Sequence, residues 1–146
     1  MIKAAHSKPR PKIIGLVRET ERSYRNRPTR TAAGVYDLED RTLRFASDVR
    51  AFIKLLPRTI ANVEDTKQLV RASGSVGANY IESNEALGKK DFMMRIKISR
   101  KEAKESRYFL RLLDAGGNTV EAGRNRLIQE ATELMNIFGA IFRKSQ

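Results

Sequence analysis

The chain has 146 residues, 29 of them basic and 17 acidic, giving a formal net charge of +12 at pH 7, and it contains no cysteine. This length fits one domain with a core of its own. The lack of cysteine excludes disulfides, thiolate metal sites and cysteine nucleophiles, and the charge excess favours a polyanionic partner such as RNA, DNA or an acidic protein face.

Residues 1–34 differ from the rest. They hold nine of the basic residues, only two of the acidic ones, and three of the four prolines, Pro9, Pro11 and Pro28. Apart from Ile13, Ile14, Leu16 and Val17, apolar residues are sparse. A segment of this kind buries too little surface to offset chain entropy, which predicts a mobile basic N-terminal arm with room for a short helix over Ile13 to Arg25. The first ten residues lack the apolar centre of a secretory signal. No apolar run approaches the length of about 18 residues expected of a membrane-spanning helix. A soluble cytoplasmic protein with no membrane partner is the expectation.

The domain proper is predicted over residues 35–146. Asp37 and Asp40 offer an N-terminal cap and first-turn charge. Leu38, Phe45, Val49, Phe52, Ile53 and Leu56 then follow the 3.6-residue period, and Pro57 ends the first helix. Asn62 is the expected cap of a second helix running through Leu69, Val70, Ser73, Val76, Gly77, Tyr80 and Ile81 to about Leu87, with Gly88 as its stop. Gly74, Gly77 and Ala78 are small enough for another helix to pass closely. A third helix covers about Lys89 to Asp114 and ends at Gly116-Gly117. Asn118 with Glu121 has the form of a capping box for the fourth, whose apolar positions are Leu127, Ile128, Ala131, Leu134, Met135, Phe138, Ile141 and Phe142. Nothing alternates at period two, so no sheet is expected. The prediction is an all-α fold, an antiparallel up-down-up-down four-helix bundle preceded by the basic arm.

A helical wheel divides the third helix into three arcs. Phe92, Ile96, Ser99, Ala103, Ser106, Leu110 and Leu113 form a core face with a small centre. Lys90, Lys97, Arg100, Lys101, Lys104, Arg107 and Arg111 form a basic face. Two readings of it are open: a nucleic-acid-binding surface, where each phosphate contact releases counterions, or a solvated face paired with Glu102 and Glu105 nearby. Met94, Ile98, Phe109 and Leu112 form a second apolar stripe. It reads as an oligomer interface or as a flank covered by an adjacent helix of the same chain.

Catalytic constellations are lacking. Glu82, Glu85, Glu102 and Glu105 bring to mind a carboxylate metal site, but di-iron bundles need Glu-x-x-His pairs, and the only histidine is His6. Zinc sites, a serine–histidine triad and a phosphate loop all lack their residues. No cofactor and no metal are expected. Arg71, Ser75, Asn79 and Glu82 step along one face of the second helix. If that face is partly buried its groups need partners, and Arg100, Glu102 and Glu105 are the candidates for a polar network that fixes helix register.

At these residues the chain resembles a known family. Arg71-Ala72-x-x-Ser75-Val76-x-x-Asn79-x-x-Glu82 is similar to the second-helix signature of the 23S ribosomal RNA intervening sequence proteins. Phe92 and Ile98-Ser99-Arg100-Lys101-Glu102-Ala103-Lys104-Glu105 resemble the third-helix signature. The likeness spans about residues 36 to 143 and is sharpest over 69 to 111. The chain departs from it near Gly77, where many members have a proline or small residue. It also reads Ile81-Glu82-Ser83 in place of Ala-Glu-Gly, and Ser99-Arg100-Lys101-Glu102 in place of Ala-Arg-Gly-Ser. The resemblance implies a small up-down bundle that assembles as a ring, commonly a pentamer, with no established enzymatic activity. A related branch serves as the accessory protein of diversity-generating retroelements, binding nucleic acid and a reverse transcriptase.

The expectation is therefore a non-enzymatic homo-oligomer, a pentamer by resemblance, that acts as a nucleic-acid-binding accessory protein with RNA preferred and a reverse transcriptase or other nucleic-acid enzyme as a further partner. The alternative is an interaction scaffold whose basic surface docks an acidic protein without touching nucleic acid.

Overall fold

The structure, a computed structural model, describes residues 37–146, so the expected arm and the helix over Ile13 to Arg25 lie outside the described residues. Four helices follow one another: α1 Leu38–Ile53, α2 Ile60–Asn84, α3 Lys89–Leu112 and α4 Asn118–Lys144. No strand occurs among the described residues, as the absence of period-two alternation predicts.

Each helix buries one stripe. Phe45, Val49 and Phe52 of α1, Leu69, Ala72 and Val76 of α2, Ile96, Ala103 and Leu110 of α3, and Leu127, Ala131, Leu134 and Phe138 of α4 meet in one core. Tyr80 of α2 reaches across to Phe138 of α4, with ring centroids 5.9 Å apart. Truncating a buried aromatic of this kind costs about 3–5 kcal/mol, against 0.2–1 kcal/mol or so for an exposed ion pair. Apolar packing, not surface charge, therefore holds the helices together.

Within this core α1 lies against α2 and α4, and α3 lies against α2 and α4; of these four seams α1–α4 is the shortest. The α2–α3 seam is lined by small residues. Ser99 is fully buried and its Oγ donates to the carbonyl of Val76 at 3.0 Å, a contact that needs two backbones close together. At the α1–α2 seam Gly77 lies against Thr42. Gly74 meets only the end of the Arg50 side chain, and Ala78 is exposed. Of the three small residues expected at a close passage, Gly77 alone is tightly held.

The helix ends correct several expectations. Thr59, not Asn62, caps α2: its hydroxyl accepts from the Asn62 amide at 3.1 Å. The buried Asn62 side chain is used elsewhere. It donates to the carbonyls of Pro57 and Asp114, both at 2.9 Å, and accepts from the Asp114 amide at 3.0 Å, which ties the α1–α2 connection to the end of α3. α4 has no capping box either. Gly117 is its N-cap without a side-chain bond, Asn118 is the first helical residue, and Glu121 instead accepts from Arg124. α1 stops at Ile53, three residues short of Leu56, although Leu56 stays in the core. α2 ends at Asn84 and not near Leu87, and Gly88 serves as the N-cap of α3.

Candidate functional site

The α3 core arc faces inward as the spacing requires. Ile96, Ser99, Ala103, Ser106, Leu110 and Leu113 are buried and Phe92 is half-buried. The opposite side of the helix is therefore turned to solvent, and the basic arc lies there. Lys90, Lys97, Arg100, Lys101, Lys104 and Arg111 are exposed, and Arg107 is half-buried.

None of these seven residues makes an ion pair among the described residues. The Lys97 ammonium sits 5.8 Å from the centroid of the Phe142 ring on α4, within cation–π range. Arg107 Nη1 donates a long bond of 3.5 Å to Thr132 Oγ1. The acids that stand at helical spacing from the arc are engaged from the other side. Arg71 of α2 pairs with Glu105 and, at 3.5 Å, with Glu102. Glu102 is buried, and its Oε2 has no hydrogen-bond partner besides that ion pair. The two carboxylates thus face Arg71, and none of the seven basic side chains pairs with them.

The polar face of α2 is assembled in part as the sequence suggests. Ser75 Oγ donates to the Arg71 carbonyl and Asn79 Nδ2 to the Ser75 carbonyl, both at 2.9 Å within the helix. Across the seam Asn79 Oδ1 accepts from Arg95 at 3.3 Å. Arg95 was not among the expected partners, although it follows Asp91 at the i, i+4 spacing of an ion pair, which the structure places at 3.9 Å. Glu82 is exposed and its side chain joins no hydrogen bond or ion pair among the described residues, and Arg100 turns away from α2 toward α4. Glu82 and Glu85 do not converge with Glu102 and Glu105, and no group of three potential metal ligands occurs among the described residues.

The second apolar stripe divides. Met94 and Leu112 are half exposed, at 48% and 50%. Phe109 is partly buried against the core, and Ile98 is half-buried. Phe109 stands one turn beyond Glu105, on the side that meets α2. The exposed part of the stripe is thus Met94 and Leu112, with exposed Tyr108 between them.

Fold and site together define, among the described residues, an all-α unit of four helices with a basic helix face whose side chains make no ion pair. Residues 36–140 match the family described as 23S rRNA-intervening sequence protein, and the chain belongs to that family. It is also similar to the crystal structure of a protein of unknown function from the S23 ribosomal protein family of Bacteroides thetaiotaomicron. The two are 27% identical with a TM-score of 0.61, over 71% of this chain and 96% of that one. No curated protein matches the chain. No described helix is long and apolar enough to cross a membrane.

Proposed function

We propose that this protein is a non-enzymatic, cytoplasmic accessory protein that binds structured RNA through the basic face of α3. The observation that carries the reading is the uncompensated charge: seven basic side chains share one side of a helix, while Glu102 and Glu105 are taken by Arg71. Acids at i, i+3 and i, i+4 on the same helix could pair with such a face; here Glu102 and Glu105 turn to Arg71 across the α2–α3 seam. RNA is preferred to DNA because the family's description ties its members to 23S rRNA.

The architecture in this reading is an antiparallel up-down bundle. It is supported by the order of contacts: Asn62 with Asp114, Arg71 with Glu105 and Asn79 with Arg95 fall in opposite sequence order on α2 and α3. Self-association into a ring belongs to the same reading and is supported by Met94 and Leu112, which stay exposed beside the basic row. A ring would repeat that row around its circumference.

The test is fluorescence anisotropy of a labelled structured RNA across a salt series. Affinity should fall with a slope of roughly 0.7–0.9 in log–log form for each phosphate neutralised. The combined Lys97→Glu, Lys101→Glu and Lys104→Glu variant should lose binding while its circular dichroism stays helical. Equal affinity of the folded variant at equal salt would make this face a solvated surface and favour docking of an acidic protein partner.

A further inference from the structure

We propose that Arg100 of α3 and Arg143 of α4, converging over Gly139, form a clamp for a phosphate group of an RNA backbone at the α3–α4 seam. This rests on the RNA-binding reading of α3 and extends it to α4, whose residues that reading does not use.

Gly139 lies inside the last helix and is buried, although glycine weakens a helix relative to alanine. Two arginine side chains pass over its bare backbone. A Cβ at this position would lie 3.3 Å from Arg143 Nη1, 3.4 Å from Arg100 Nε and 3.7 Å from Arg100 Cδ. Two guanidinium groups from different helices therefore meet over one bare stretch of backbone. Lys97, one turn before Arg100, brings a third cation to the same seam above Phe142.

Like charges brought together repel unless an anion lies between them. Two other seam arginines have such an anion: Arg41 takes Glu130 and Glu133, and Arg71 takes Glu102 and Glu105. Arg100 and Arg143 have no carboxylate partner among the described residues, yet both are exposed. An external oxyanion can reach them and accept a forked pair of N–H bonds from each. Lys104, Arg107 and Arg111 continue the row along the same side of α3, so a polymer with regularly repeated phosphates fits better than a single carboxylate.

The test uses the full chain and three variants, Arg143→Gln, Gly139→Ala and, as a control of equal charge loss, Arg126→Gln on a different side of α4. Circular dichroism melts establish that each is folded. Arg143→Gln should weaken binding of a labelled structured RNA about tenfold and lower the salt slope by roughly 0.7–0.9. Gly139→Ala should weaken it less than Arg143→Gln, because the added methyl, 3.3 Å from Arg143 Nη1 and 3.4 Å from Arg100 Nε, shifts the guanidinium groups by only a few tenths of an ångström. Arg126→Gln should leave affinity nearly unchanged. If Arg143→Gln and Arg126→Gln behave alike, the clamp is overturned while the α3 reading survives. If the wild-type chain binds no RNA, the α3 reading fails, and titration with inorganic phosphate decides the clamp. Saturable shifts of the Nε–Hε resonances that vanish in Arg143→Gln sustain it as a phosphate site; unshifted resonances overturn it.

Discussion

Gly77 of α2 is packed against Thr42 of α1 so closely that a Cβ on Gly77 would lie 2.6 Å from Thr42 Oγ1 and 3.1 Å from its Cβ. Thr42 cannot easily yield. It is buried, and its hydroxyl donates to the carbonyls of Leu38, at 2.7 Å, and Glu39, at 3.0 Å. On an exposed helix face, replacing glycine would stabilise by about 1 kcal/mol. Here the steric term opposes that gain and wins. Gly77→Leu should destabilise by about 1–3 kcal/mol, and Gly77→Ala should fall in the same direction by less. Thermal melts give the sign, and a rise in Tm would mean that α1 does not press on α2 in solution.

The two helix starts call for opposite outcomes from similar substitutions. Thr59 caps α2 with its side chain, so Thr59→Ala should cost about 1 kcal/mol. Asn118 is not a cap, and Asn118→Ala should stay within about 0.5 kcal/mol. Urea denaturation of the pair measures both, and equal losses would restore Asn118 as a capping residue.

Arg71 is the counter-charge of a buried acid. Its removal in Arg71→Leu leaves Glu102, with 9% of its side chain exposed, without the one ion pair that its Oε2 makes. The loss should be about 1–3 kcal/mol, and adding Glu102→Gln to Arg71→Leu should recover part of it. Arg71 itself is half exposed, so the coupling in a double-mutant cycle should be nearer 1 kcal/mol than 3, or about the upper end for exposed pairs. Independent, additive effects would show that the pair is bridged by solvent.

Self-association should depend on Met94 and Leu112. Sedimentation equilibrium of the wild-type chain should return a multiple of the single-chain mass, and Met94→Asp with Leu112→Asp should lower it. Phe109 is already packed on its own core, so Phe109→Ala should act on stability, by about 3 kcal/mol or more, before it acts on assembly. A wild-type chain that sediments as a monomer removes the interface.

Among the described residues, the four helices, their order and the inward stripe of each could be read from the sequence, because burial repeats with the helical turn and leaves a 3.6-residue trace in residue type. Ile96, Ser99, Ala103, Ser106, Leu110 and Leu113 are buried in that register. Periodicity separates inside from outside but does not say which neighbour stands on either side. The tertiary structure alone decided that Glu102 and Glu105 turn to Arg71 and away from the lysines of their own helix, that Phe109 leaves the apolar stripe for the core, and that Arg100 turns toward Gly139. It also decided between two good caps three residues apart. Thr59 and Asn62 both suit the start of α2, and only the nearness of Asp114, from the far end of α3, takes Asn62 for a different bond. These choices rest on residues far apart in the chain, and a local pattern carries no information about which of them meet.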